Sequence, residues 1–136
     1  MPAIKKSDNF REDKDDSVVQ QIDHICLLVN DLEETKDYLE SLFNLEIRRK
    51  TGTENILLCE NRHLHFFIKQ KDLPADFLSE QHLSLTVKSI EVIKNKLKRF
   101  KIKFETGEFS EFQYNNYKWI EWRDKNGIRF ECIEKM

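Results

Sequence analysis

An α+β fold made of two paired βαβββ modules is what the sequence predicts, on three observations. A histidine-bearing strand, Ile22-Asp23-His24-Ile25-Cys26-Leu27-Leu28-Val29, comes back as Gln81-His82-Leu83-Ser84-Leu85-Thr86-Val87. Each copy runs directly into a helix-start signal, and the same order of elements follows both times. Superposing His24 on His82 also pairs Leu27 with Leu85, Val29 with Val87, Leu32 with Ile90, Lys36 with Lys94 and Leu39 with Leu97. A unit of this size has too small a core to stand alone, so a repeated unit must pack against its own copy.

Taken in order, residues 1–20 form a charged N-terminal arm, from Lys5 to Asp16 mostly Lys, Arg, Asp and Glu. It reads as a solvated arm, or as one that crosses a partner subunit with Phe10 and the Val18-Val19 pair as anchors. The first module spans 21–70. After its histidine strand, Asp31 with Glu34 three residues on is a capping-box start. Leu32, Thr35, Leu39 and Leu42 then recur at helical spacing, and Asn44 is a tolerable left-handed cap. Strands follow at 45–50, 55–59 and 63–69, separated by turns around Gly52 and Asn61. A connector, 71–80, carries one short helical turn after Pro74.

The second module spans 81–136. Ser89 is a good N-cap, and Ile90, Ile93, Leu97 and Phe100 form an apolar helix face. Residues 102–105 read as a strand, 106–116 as a long aromatic loop, and 117–123 as a strand. Asp124-Lys125-Asn126-Gly127 carries the Asn-Gly hairpin signal, and 128–133 is the last strand.

Composition narrows the function classes. The chain is 39% hydrophobic with ten Phe, enough for a core, and 35% charged with a net charge of −2. No basic stripe of the kind that binds nucleic acid is present, and the apolar runs are too short to span a membrane. The N-terminus lacks the apolar core of a signal peptide. Three cysteines without CxxC spacing fit a reduced, cytoplasmic protein.

Strand side chains alternate faces, so His24 shares a face with Cys26 and Leu28, and His82 with Ser84 and Thr86. In the last strand of each module, His65 and Glu131 match under the repeat. Pairing the modules about a pseudo-twofold brings His24, His65, His82 and Glu131 together. A single strand histidine is ordinarily just hydrogen-bonded; the joint pattern is what points to a metal. Three imidazoles and a carboxylate suit a divalent first-row ion. Two His and one Glu with open positions equally suit a ferrous facial triad. Phe109, Phe112, Tyr114 and Tyr117 around the aromatic loop line a pocket or pack an interface. Trp119 and Glu121 share one face of the next strand, Ile120 and Trp122 the other, and one pair looks inward. If it is Trp119 and Glu121, Glu121 is a candidate second acid or base.

These features resemble the vicinal oxygen chelate superfamily, which includes glyoxalase I, extradiol dioxygenases, fosfomycin-resistance thiol transferases and bleomycin-resistance binding proteins. The carriers are the His24 strand running into Val29-Asn30-Asp31-Leu32, the hairpin His63-Leu64-His65-Phe66, the restart at Gln81-His82-Leu83-Ser84-Leu85, and Arg123-Asp124-Lys125-Asn126-Gly127 before Phe130-Glu131. The resemblance implies a glyoxalase-like fold whose mixed sheets curl into a cup around a metal (Zn, Ni, Mn or Fe). It implies ligands at His24, His82 and Glu131. His65 stands at the fourth position, which is commonly Glu in glyoxalase I, so Glu131 is the remaining metal-bound carboxylate that can serve as a base. Cys26 is like a cysteine in the first strand of the fosfomycin enzymes.

The expectation is a metal-dependent enzyme acting on a small oxygenated substrate by chelation and enediolate or oxyanion stabilisation. Glu131 is its catalytic group, and Cys26, Tyr114, Tyr117, Trp119 and Glu121 contact substrate. The alternatives are a non-catalytic small-molecule binding protein on the same fold and a ferrous dioxygenase. A homodimer is expected, with the modules pairing within one chain or between two.

Overall fold

The computed structural model describes residues 18–49, 52–109 and 117–136. Residues 1–17, with Phe10, and 110–116, with Phe112 and Tyr114, lie outside the described residues, as does the side chain of Phe109. Among the described residues there are eight strands and three helices: β1 (Cys26–Val29), α1 (Leu32–Phe43), β2 (Glu46–Arg49), β3 (Ile56–Glu60), β4 (His65–Gln70), α2 (Ala75–Leu78), β5 (His82–Thr86), α3 (Ile90–Arg99), β6 (Glu105–Phe109), β7 (Tyr117–Arg123) and β8 (Arg129–Lys135). They make two four-stranded sheets, ordered β1-β4-β3-β2 and β5-β8-β7-β6. In each, the first strand runs parallel to the last and the other pairings are antiparallel. The expected βαβββ order is therefore present twice.

The helices begin and end where their caps dictate. Asp31 Oδ1 accepts from Glu34 N at 3.0 Å, so the forward half of the capping box forms, while Glu34 pairs with Lys125 instead of reaching back. Asn44 closes α1 with φ 53°, its N–H donating to Glu40 O. Ser89 caps α3 by accepting from Glu91 N. At the other end of α3, Lys101 takes φ 59° and Ile102 N donates to Leu97 O at 2.9 Å, a Schellman closure. That closure corrects the expected strand at 102–105. Ile102 is engaged in the cap, so the strand starts at Glu105 and runs to Phe109, through part of the stretch expected to be loop. Phe100 is likewise 44% exposed and not part of the buried helix face.

One apolar cluster joins everything. Leu27, Val29, Leu57, Cys59, Phe66 and Ile68 come from the first sheet, and Leu83, Ile120, Trp122, Phe130 and Cys132 from the second. Both long helices insert between them, through Leu32, Leu39 and Leu42, and through Ile90, Ile93 and Leu97. Polar contacts also cross from module to module. Trp122 Nε1 donates to Tyr38 Oη at 2.6 Å. The Gln81 amide accepts from Leu28 N and donates to Leu28 O, each at 2.7 Å. Asn126 accepts from Asn30 N at 2.7 Å and donates to Thr35 Oγ1 at 3.2 Å. The two modules of one chain are thus held through their helix side.

The β7–β8 turn differs from the two-residue type that its Asn-Gly pair suggests. Asn126 keeps a negative φ, and only Gly127, at φ 85°, enters the left-handed region. The turn closes by Gly127 N donating to Asp124 O and Ile128 N donating to Asp124 Oδ1. Asn126 is 8% exposed because its side chain is the bridge to the first module.

Burial raises the Asp124 carboxyl above its ordinary value, against the hydrogen bonds from Asn126, Ile128 and Gly127. An acid whose folded pKa is raised binds more protons folded than unfolded, so its contribution to stability falls as pH rises through that window. Urea unfolding of the wild type and Asp124→Asn will show it. The wild type loses stability relative to the variant as pH climbs from the ordinary carboxylate range, and the difference levels off above the raised pKa. A pH-independent difference sinks this account.

Candidate metal centre

The sheet faces turned away from the helices carry the candidate residues. On the first sheet these are Cys26, Leu28, Leu58, His65 and Phe67; on the second, His82, Ser84, Trp119, Glu121 and Glu131. All are exposed or only partly covered. The pairing inward of Ile120 and Trp122, both in the core, settles the face question. Trp119 and Glu121 lie on the open face with Glu131.

The first cluster sits where β1 begins. Regular pairing starts at Cys26, opposite Phe67, with Phe67 N donating to Ile25 O at 2.9 Å. The expected strand from Ile22 is thus shorter, and β4 starts at His65, after the Asn61–Leu64 turn. That turn is held by Asn61 Oδ1 accepting from His63 N and Leu64 N. His24 lies beside His65, ring centroids 6.0 Å apart, and edge-on to Phe67 at 5.0 Å. Asp23 Oδ2 is 2.7 Å from His24 Nδ1 and 3.3 Å from His65 Nε2. These two imidazoles, through their hydrogen bonds, hold the Asp23 carboxyl below its usual value. Asp23, His24 and His65 each present a donor atom within 4.8 Å of the others'.

The second cluster sits on β5 and β8. Ser84 lies opposite Glu131 in the parallel ladder, and its hydroxyl donates to Glu131 Oε1 at 2.8 Å. His82 Nε2 is 3.8 Å from the same oxygen. Glu131 is the more enclosed of the pair, its side chain 13% exposed against 39% for His82. Across the sheet Glu131 faces Glu121. Arg129 Nε, 3.1 Å from Glu121 Oε2, offsets the two neighbouring carboxylates. Trp119 lies over Gly107, where an added Cβ would come within 2.5 Å of the indole; only glycine accommodates that ring position.

The four residues expected to converge therefore fall into two pairs within one chain, His24 with His65 and His82 with Glu131. Among the described residues, the three-donor cluster includes neither His82 nor Glu131. The ladders also correct the repeat match. Cys26 pairs with Phe67 as Ser84 pairs with Glu131. Under the His24–His82 superposition, then, Phe67 and not His65 occupies the place of Glu131, and His65 occupies that of Arg129. The two hairpin turns also differ, four residues at 61–64 against five at 124–128.

Of the expected substrate contacts, Cys26 is exposed and Tyr117 is 7% exposed. Tyr114 lies outside the described residues. Cys59 and Cys132 are buried thiols, each pushed up to about 12 chiefly by burial, so both are inert as nucleophiles. Two participants were not singled out from the sequence as site residues. Ser84 shares the His82 face by simple alternation. Asp23 is displaced from strand alternation because its segment is unpaired, and adjacency to His24 was its only signal.

A pair of βαβββ modules with sheets in this order defines the vicinal oxygen chelate class of fold. The profile of the Glyoxalase/Bleomycin resistance protein/Dioxygenase superfamily matches residues 21–132, and the chain belongs to that superfamily. Among solved structures, virulence protein STM3117 of Salmonella typhimurium superposes with a TM-score of 0.71 at 16% identity, covering 88% of this chain and 100% of its own. A mutant of the fosfomycin resistance protein FosX of Listeria monocytogenes, complexed with Mn(II) and 1S,2S-dihydroxypropylphosphonic acid, gives 0.65 at 22% identity, covering 85% and 90%. A glyoxylase/bleomycin resistance protein/dioxygenase domain from Frankia sp. EAN1pec gives 0.68 at 17% identity, covering 87% and 99%. At these identities the likeness is one of fold. No curated protein sequence matches the chain. Among the described residues, no helix is long and apolar enough to cross a membrane.

Proposed function

We propose that the protein is a metal-dependent enzyme of the vicinal oxygen chelate type, acting on a small oxygenated substrate. Its divalent ion (Zn, Ni, Mn or Fe) is held by His24, His82 and Glu131, with His65, whose ring lies 6.0 Å from that of His24, as a further imidazole ligand beside it. The observation that carries this is the presence of two preformed donor pairs on open sheet faces. Imidazole nitrogens with one ordered carboxylate fit a first-row divalent ion, and FosX with Mn(II) on the same fold supports the choice. Because one chain keeps the pairs apart and its two open faces uncovered, the site closes when the first module of one copy meets the second module of another. The working unit is then a homodimer, in a reduced, cytoplasmic setting that suits three free cysteines.

The bound ion supplies Lewis-acid polarisation of substrate oxygens. Glu131, steadied by the Ser84 hydroxyl, is the carboxylate that ligates and takes up a substrate proton. Glu121, directly opposite, is the second acid or base. Trp119 and Cys26 give the site its apolar walls, and Tyr117 begins β7 on the same strand as Trp119 and Glu121.

Mixing two inactive chains tests the arrangement. His24→Ala and His82→Ala homodimers are each expected to lose metal. Their mixture is expected to recover one intact site per mixed dimer, because the intact first module of one chain meets the intact second module of the other. No recovery after subunit exchange refutes the shared site. Ligand binding that persists in chelator identifies a non-catalytic binding protein instead. Oxygen uptake that requires ferrous iron identifies a dioxygenase.

A further inference from the structure

Two imidazoles converge on one carboxylate oxygen at the start of β1. Asp23 Oδ2 lies 2.7 Å from His24 Nδ1 and 3.3 Å from His65 Nε2. A carboxylate only accepts, so each of these nitrogens is the one that carries its ring proton. His24 then keeps the lone pair on Nε2, and His65 keeps its own on Nδ1. We propose that Asp23 is a positioning residue that selects these tautomers and fixes both ring planes, so that His24 presents Nε2 outward as a donor to a metal.

Local structure makes this possible. Consecutive strand residues point to opposite faces, and in a regular strand Asp23 could not reach the ring of His24. Pairing begins only at Cys26, which leaves Asp23 free to turn back. Phe67 packs edge-on against the His24 ring at 5.0 Å, and the carboxylate bond fixes the ring's remaining rotation. One acid thus orders both histidines, His24 just ahead of β1 and His65 at the start of β4. Hydrogen bonding to the second ring nitrogen is how a ligating histidine is ordinarily oriented and made more basic. The purpose assigned to the tautomer rests on the metal reading above; the tautomer itself does not.

Long-range nitrogen–proton NMR of the metal-free protein, taken well above the ordinary imidazole pKa, tests the tautomer directly. Wild-type His24 is expected in the Nδ1–H form and His65 in the Nε2–H form. Asp23→Ala is expected to move His24 to the Nε2–H form, with Asp23→Glu restoring part of the original signal. In a parallel titration with Co(II), Asp23→Ala is expected to weaken binding about 10–100-fold. The visible spectrum at saturation should stay unchanged, since the ligands are the same. His24 found as Nε2–H in the wild type, or unmoved by Asp23→Ala, overturns the proposal. A changed cobalt spectrum at saturation also overturns it, by making Asp23 a ligand itself. A tautomer shift in a wild-type protein that binds no cobalt upholds the role of Asp23 and refutes the metal reading alone.

Discussion

Glu131→Gln and His82→Ala will each weaken divalent-metal binding by more than about 100-fold, beyond the about 10–100-fold that losing an outer-shell partner costs. Glu131→Gln is the sharper of the two. It keeps the size and the acceptor that Ser84 uses at 2.8 Å, so the fold is undisturbed while the anionic donor is gone. Competitive titration of Co(II) against a chelator measures the change. Glu121→Gln serves as the control, since Glu121 faces Glu131 across the ladder but lies outside the proposed ligand set. It should bind metal nearly as the wild type does. Equal losses at Glu131 and Glu121, or none at either, would remove the basis for the ligand assignment.

The largest effect on stability is expected at Phe130. Its side chain is fully buried, stacked on Trp122 with ring centroids 5.9 Å apart, and flanked by Tyr38 and Phe43 of α1 at 6.1 and 6.2 Å. It belongs to the second module, yet two of these three aromatic neighbours come from the first. Phe130→Ala is expected to cost about 3–5 kcal/mol, the transfer loss plus the cavity left behind. Phe100→Ala, at a 44% exposed ring, should stay within about 1 kcal/mol. Urea unfolding distinguishes them. A loss at Phe130 no larger than at Phe100 would mean that the modules do not share one core.

Much of this arrangement is legible before any coordinates. Periodicity placed α1 and α3, and their caps fixed where they start, because Asp31 and Ser89 act through bonds to neighbours two or three residues away. The repeat gave the module order because duplicated strands need duplicated partners. Errors came where a distant or irregular contact decides. Ile102 alternates like a strand residue but is drawn into the cap of α3. His65 looks like the counterpart of Glu131 until the ladder register assigns that place to Phe67. Asp23 belongs to the first cluster only because its neighbours lack a pairing partner. The division of the four expected ligands into two pairs is a property of how the modules meet, and no local pattern encodes that.

The Gln81 amide seated on the backbone of Leu28 has a further consequence. An outer strand with bare N–H and C=O groups is a template for adding strands from other molecules. Here a side chain mimics one residue of a neighbouring strand, satisfying both groups of Leu28 at 2.7 Å, and Asn126 occupies the N–H of Asn30 two residues on. At the opposite margin of the same sheet, β2 carries Glu46, Arg48 and Arg49, charges that resist stacking into a fibril. Both margins of the first sheet are thereby closed to runaway β-addition, leaving its broad face as the surface through which copies of the chain can meet in a finite assembly.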